Sequence, residues 1–514
     1  MGKFKIKFET IRFPLIILLI TVFLRGLSNT ILSQAVVNLI PSNFTWVLFL
    51  SQIAKQFSGL VTQYLPFLTI IKILSKKHNS ERVVLMFIVS YFLFLTITMI
   101  IGRTNMPMIV YDDLFGLNVR LSSDTFNNAS ILRLPYRLGF LGAIIVGYVA
   151  DLSYRLTRTR TKYGFIPYID KDVLSLLTTL FFTLIAGVAT AFIWPYFIEF
   201  IFKVFTWISN DITNPISTFV YGFIDRIFSI LDLSDINRQT FWYTSQGGSW
   251  MNDLGENYVG DISIWTQQLK TGITNTGFGR FITPYYIINL FALPGFILGI
   301  YSTFTSKKQR RSYLSLAIIV IMFAFISDIS LPIEIFLIVM APMLYFFHLF
   351  IVSSLFALLQ GLNLFLGFAF EGTVISASLG GGIDLLSYFQ IASLRGTIIS
   401  LIIIGLITAV IYYLATIFYY RYLSLGLINK FEIETLVEEV LEVVGGLENI
   451  EIIDSSAFRI DVELSRPQLF NYERLESSNI SRVIETKTSY ALYYGTASTT
   501  IRKEILLRKK MLLP

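Results

Sequence analysis

The feature that most restricts this chain is a series of long apolar runs almost empty of charge, among them Phe13–Phe23, Val83–Ile101 and Ile398–Tyr420. A helix needs ~20 such residues to cross the hydrocarbon core of a bilayer. Only 15% of the 514 residues are charged and the mean hydropathy is +0.65, too little charge to surface a soluble protein of this size. The expected fold class is therefore a polytopic α-helical membrane protein. The first run is read as a span and not as a secretory leader, because further spans follow it and no small-residue cleavage site does.

Charge sets the expected orientation. The net charge is +7, and the basic residues gather at Lys72–Lys77, Arg155–Lys162, Lys307–Arg311 and the Lys3–Lys7 terminus. Loops rich in Lys and Arg face the cytoplasm. Each cluster flanks an apolar span, which fits a lipid bilayer and argues against nucleic acid. There is no cysteine, so no disulfide, thiolate nucleophile or thiolate metal site is available, and two histidines (His78 and His348) make an imidazole metal site unexpected. No metal and no cofactor are expected.

Spans are read near 14–37, 46–71, 83–101, 137–152, 175–205, 282–303, 312–326, 335–359 and 398–421. The apolar stretch 213–231 carries Asp225 and Arg226, and mid-bilayer charge costs at least ~2.5–3.5 kcal/mol unless it faces protein or water. It is read as a helix lining an internal cavity. Cytoplasmic termini require an even number of crossings, about ten. Pro332, Pro342 and Gly380–Gly382 suggest broken or re-entrant segments within 328–395.

After a connector at Tyr420–Lys430 the pattern changes. Ile433, Leu436, Val437, Val440, Leu441 and Val444 recur at helical spacing, and Gly445–Gly446 closes the helix. Phe458, Ile460, Val462 and Leu464 alternate with charged residues as in a half-buried strand. Tyr490, Leu492 and Tyr494 suggest another strand, and Thr499–Leu507 opens a basic helix. The expected organisation is a membrane part over 1–425 and a small α/β domain over 430–514.

GGLENIEIIDSSAFRIDV (Gly445–Val462), with Glu448, Asn449, Ile450, Asp454 and Arg459 on motif positions, resembles the IIB domain of the glucose/N-acetylglucosamine/maltose-type permeases of the bacterial phosphotransferase system. LGAIIVGYVAD (Leu141–Asp151), YGFIDRIFSILDLSDINRQTFWY (Tyr221–Tyr243), FALPGFILGIY (Phe291–Tyr301) and SLPIEIFLIVMAPMLYFFH (Ser330–His348) resemble segments of the IIC membrane domain, in family order. The resemblance implies a IIC-like permease fused to a IIB-like domain, a sugar ligand, a homodimer, and a place in the bacterial plasma membrane with both termini cytoplasmic.

The departures matter as much. The IIB phosphocysteine falls on Ser456 and its neighbouring threonine on Phe458. The substrate histidine falls on Ser234, the glycine two residues before it on Asp232, and the first glutamate of the T-E-P-I-E motif on Leu331, whereas the second is kept as Glu334. A thiophosphate passes its phosphoryl group on because thiolate is a good leaving group. A serine phosphate is a stable ester, so the expected relay is catalytically inactive. Glu334, with Arg226 as orienter or partner, Ser234, Trp242 and Asp261 are the candidate sugar-site residues. Trp242 offers an apolar face for a pyranose ring or for ordinary packing. His348 is expected to bond a neighbouring carbonyl, and Asp384 to cap a helix. The functional expectation is a permease that binds or transports a hexose-type sugar without coupled phosphorylation. Its rival is a non-catalytic sensor, anchor or scaffold whose tail docks a cytoplasmic protein.

Overall fold

The computed structural model describes residues 8–511 except 33, 38–39, 123–129, 159–169, 275–276, 304–306, 369–379, 421–429, 457, 479, 481, 487 and 495–496. The Lys3–Lys7 terminus, the far half of the Arg155–Lys162 cluster and most of the Tyr420–Lys430 connector therefore lie outside the described residues.

Eight described helices are long and apolar enough to cross a membrane: Thr10–Ile31, Thr45–His78, Glu81–Ile101, Gly139–Arg158, Lys171–Asn210, Thr283–Thr303, Pro342–Gly361 and Ala392–Phe418. Two shorter apolar helices are Tyr313–Ile326 and Ser330–Met340. The span read near 335–359 is divided at Ala341, whose φ/ψ of −150°/63° leaves the helix. Pro342 follows, with no N–H to give to a preceding turn. The stretch 213–231 becomes the short helix Pro215–Ile230, started by Asn214 accepting from the Ile216 amide and by proline at its first position.

The chain separates into two compact units. One comprises Gln56–Phe281 and Ile351–Gly367. Here the helices Glu81–Ile101, Gly139–Arg158 and Lys171–Asn210 pack on one another. The last has 40 residues, about 60 Å at helical rise. At one end of this bundle the buried Asp151 carboxylate gathers Lys77 Nζ at 2.8 Å, His78 Nε2 at 2.7 Å and Arg155 at 2.7 Å. The first two basic clusters thus meet on a shared counter-charge. Two hairpins also belong here: β1 (Val119–Ser122) with β2 (Ser130–Arg133), and β3 (Ser249–Met251) with β4 (Asn257–Val259).

The other unit comprises Met1–Lys55, Ile282–Phe350 and Phe368–Pro514. In it Thr283–Thr303 packs closely against Arg395–Phe418. A Cβ on Gly295 would lie 2.4 Å from the Ala409 carbonyl oxygen, and one on Gly405 would lie 2.4 Å from the Phe291 ring. Within the first of these helices, Ile288–Ala292 winds as a π-turn.

The tail of this unit has its own core. Strands β5 (Ile450–Ser455), β6 (Arg459–Leu464), β7 (Arg482–Thr486) and β8 (Ser489–Tyr493) form an antiparallel sheet in the order β5-β6-β8-β7. Helices Lys430–Val444 and Ser498–Met511 pack together, burying Val437, Val440, Ile501 and Ile505 with Ile460, Val462 and Leu492 of the sheet. Gly445 and Gly446 have φ of +81° and +100°, the left-handed values that glycine takes freely after a helix.

Candidate functional site

The site-bearing segment of the first unit runs from Tyr221 to Phe281. On the Pro215–Ile230 helix Asp225 and Arg226 are fully buried. Arg226 Nε donates to Asp225 Oδ2 at 3.1 Å, Arg238 Nε to Oδ1 at 3.0 Å, and Asn237 Nδ2 to Oδ1 at 3.3 Å. One carboxylate therefore gathers two guanidiniums and an amide. Charged pairs out of water hold only when hydrogen bonds satisfy them like this. Arg238 and Asn237 escaped the sequence reading because their link to Asp225 spans a turn between two helices.

That turn contains one of the departures noted above. Asp232, at the family's glycine position, has φ +59°, where an L-residue is strained and glycine is not. Ser234 then opens the helix Ser234–Tyr243 and is half-buried. Trp242, near the end of that helix, is 7% exposed, donates Nε1–H to the Tyr221 hydroxyl at 3.2 Å, and lies 5.7 Å from the Arg238 guanidinium.

Asp261 heads the helix Asp261–Lys270 and accepts from the amides of Gly279 at 3.0 Å and Phe281 at 3.3 Å, with Arg280 Nε at 3.9 Å. Burial pushes its carboxyl up to about 6, against the pull of Arg280 and the amides. Arg280 donates to the Ile212 carbonyl at 2.6 Å. It lines a cavity of about 550 Å³ with Thr213, Pro215, Gln360, Asn363 and Phe365. Gln360 is buried, and its Oε1 has no hydrogen-bond partner among the described residues.

Glu334 belongs to the other unit, on the helix Ser330–Met340, and is fully buried. Its Oε1 lies 3.0 Å from Nε2 of His348, itself fully buried. His348 Nδ1 lies 2.8 Å from the Tyr412 hydroxyl. This corrects the expectation that His348 bonds a carbonyl. A phenol donating to Nδ1 leaves the proton on Nε2, aimed at the carboxylate. The break at Ala341–Pro342 lets the two helices on either side present these groups to each other. Asp384 is also corrected. Gly381 holds the N-cap position of Gly382–Tyr388, while Asp384 stands in its first turn, where its Oδ2 accepts from the Tyr286 hydroxyl at 3.3 Å.

In the tail, Ser456 is 2% exposed at the end of β5. Its Oγ accepts from the amides of Phe458 at 3.4 Å and Arg459 at 3.3 Å, while its own N–H donates to the Arg459 carbonyl at 2.8 Å. The Ser456 side chain is thus a turn-forming acceptor. Among the described residues no group of three or more acidic, histidine or cysteine side chains is arranged to hold a metal ion.

Apolar spans, a broken helix carrying a buried carboxylate, and buried guanidinium–carboxylate clusters define a polytopic membrane protein of the permease class. Residues 8–353 match the family described as phosphotransferase system, EIIC, and the chain belongs to that family. It is similar to the PTS system glucoside-specific EIICBA component of Staphylococcus carnosus (strain TM300), 26% identical over 398 residues. That match covers 74% of this chain and 54% of the relative, so the chain spans about half the length of that relative.

Proposed function

We propose that this chain is a homodimeric permease of the bacterial plasma membrane that binds and moves a hexose or hexoside without phosphorylating it. The name of the glucoside-specific relative supports that sugar class. The observation that carries the reading is the Tyr412–His348–Glu334 chain. An unpartnered carboxylate in a bilayer is costly; here an imidazole fixes one oxygen in place. A carboxylate has about four lone-pair sites, which gives Glu334 the capacity to accept sugar hydroxyls as well. Within the unit that comprises Gln56–Phe281, Arg226, Ser234, Trp242 and Asp261 are proposed, each on its own, as further sugar-binding residues.

The tail over 430–514 is read as a IIB-like domain that has lost its relay. Ser456 offers a poor leaving group and an Oγ engaged by two amides, so it supports no phosphoryl transfer. Both termini are placed in the cytoplasm, as the basic clusters favour. The test is equilibrium binding of radiolabelled glucose and methyl glucoside to the purified protein. Glu334→Gln keeps the volume and removes the charge, and a hydrogen bond to a charged group is worth roughly 1.5–3 kcal/mol. Affinity should fall about ten- to a hundredfold. If the unaltered protein binds neither sugar, the sensor, anchor or scaffold reading replaces transport, with a cytoplasmic protein docking on the tail.

A further inference from the structure

The substituted IIB turn makes a contact that phosphoryl transfer does not need. Phe458, on the family's threonine position, follows Ser456 by two residues, and the Tyr494 amide holds its carbonyl at 3.0 Å. Its ring stands edge-on to Phe336, with centroids 5.5 Å apart at 84°, and edge-on to Tyr420, at 5.5 Å and 86°. Phe336 lies on the Ser330–Met340 helix two residues after Glu334, and Tyr420 follows the last membrane-spanning helix. Tyr420 is 1% exposed. Edge-to-face geometry is the favoured one for aromatic pairs. A threonine at this position has no ring to offer either partner, and a phosphorylated neighbour would bring charge into an apolar contact.

We propose that the Ser456–Phe458 turn is a docking surface for the membrane part of its own chain. Phe458 wedges against Phe336 and Tyr420 and clamps the helix that carries Glu334. The turn that, in the family, hands on a phosphate is here a fixed apolar contact that restrains the substrate helix. Ser456 serves this role by closing the turn and presenting Phe458. The clamp needs no sugar, and its failure is therefore separate from failure of the transport reading.

Two measurements on the full chain in lipid nanodiscs test it, both without sugar. Hydrogen exchange over 330–340 should be about tenfold faster in Phe458→Ala, as expected for loss of two ring pairs, and should return toward the original rate in Phe458→Tyr. Unchanged exchange in Phe458→Ala overturns the clamp. The chain has no native cysteine, so the pair Phe336→Cys/Phe458→Cys should be joined by a short bis-maleimide, and the pair Phe336→Cys/Met511→Cys should not. Absence of the first crosslink, with both thiols reactive singly, also overturns the proposal. Should Phe458→Ala fail to fold, the crosslink decides alone.

Discussion

His348 Nε2 stands 3.0 Å from Glu334 Oε1 with both side chains wholly out of solvent, so the imidazole supports this membrane carboxylate directly. Removing the imidazole in His348→Ala should destabilise the protein by ~1–3 kcal/mol, since it takes a donor from a buried acceptor. Tyr412→Phe should cost about 1 kcal/mol, the worth of an ordinary hydrogen bond. Because the three groups form one chain, the double variant should cost less than the two losses added. Thermal denaturation of the four proteins gives the coupling, and simple additivity would show that the three groups do not act as one chain.

Phosphoryl transfer should be absent. Incubated with phosphoenolpyruvate and the general carrier proteins of the system, the chain should form no sugar phosphate. Ser456→Cys should restore little, because Oγ lies in a closed turn and because the motif resemblance sets Ser234 and Leu331 where the family carries a histidine and a glutamate. Turnover of sugar to sugar phosphate by the unaltered chain, followed with labelled phosphoenolpyruvate, contradicts the assignment outright.

Sidedness follows from the basic clusters. Single cysteines at Lys76, Arg158 and Arg310 introduce the first thiols into the chain. An impermeant maleimide should leave all three unlabelled in intact cells and label them after permeabilisation. Lys77 and Arg155 share Asp151, so the first two positions must agree with each other. Labelling from outside would invert the topology.

Asp261 should leave a pH signature in stability. Its carboxyl titrates at about 6 in the fold, above the ordinary value of 3.8, chiefly through burial. Between those two values the folded protein holds the proton more tightly than the unfolded chain does. This group's contribution to stability therefore rises as pH falls from about 6 toward 4, by up to the order of 3 kcal/mol. Asp261→Asn removes the titration. The difference in melting temperature between parent and variant should shift in favour of the parent as the pH is lowered through that window. A pH-independent difference rules this out.

The spans were legible because apolar length is written locally, and so was the tail's alternation: Ile460, Val462 and Leu464 are buried as their spacing requires. Glu334 stood out for the same reason, as a carboxylate in an apolar stretch. Its partners did not. His348 is 14 residues away and Tyr412 lies 64 residues beyond His348, and no local period reports which faces of separate helices meet. Arg238 was hidden likewise, since a polar residue in a short helix looks solvated until its partner Asp225 is placed. The two small hairpins were missed because three- and four-residue strands are too short to show an alternation.

The two glycine contacts between Thr283–Thr303 and Arg395–Phe418 bear on how this protein can move. Lipid tails give helices no hydrophobic reason to associate, so such a pair is held by the close fit of small residues. At Gly295 and Gly405 there is no room for even a methyl group. Sliding either helix along the other would drive Ala409 or Phe291 into backbone. The two helices must therefore travel as one rigid body, and the hinges for any change of access lie outside this pair.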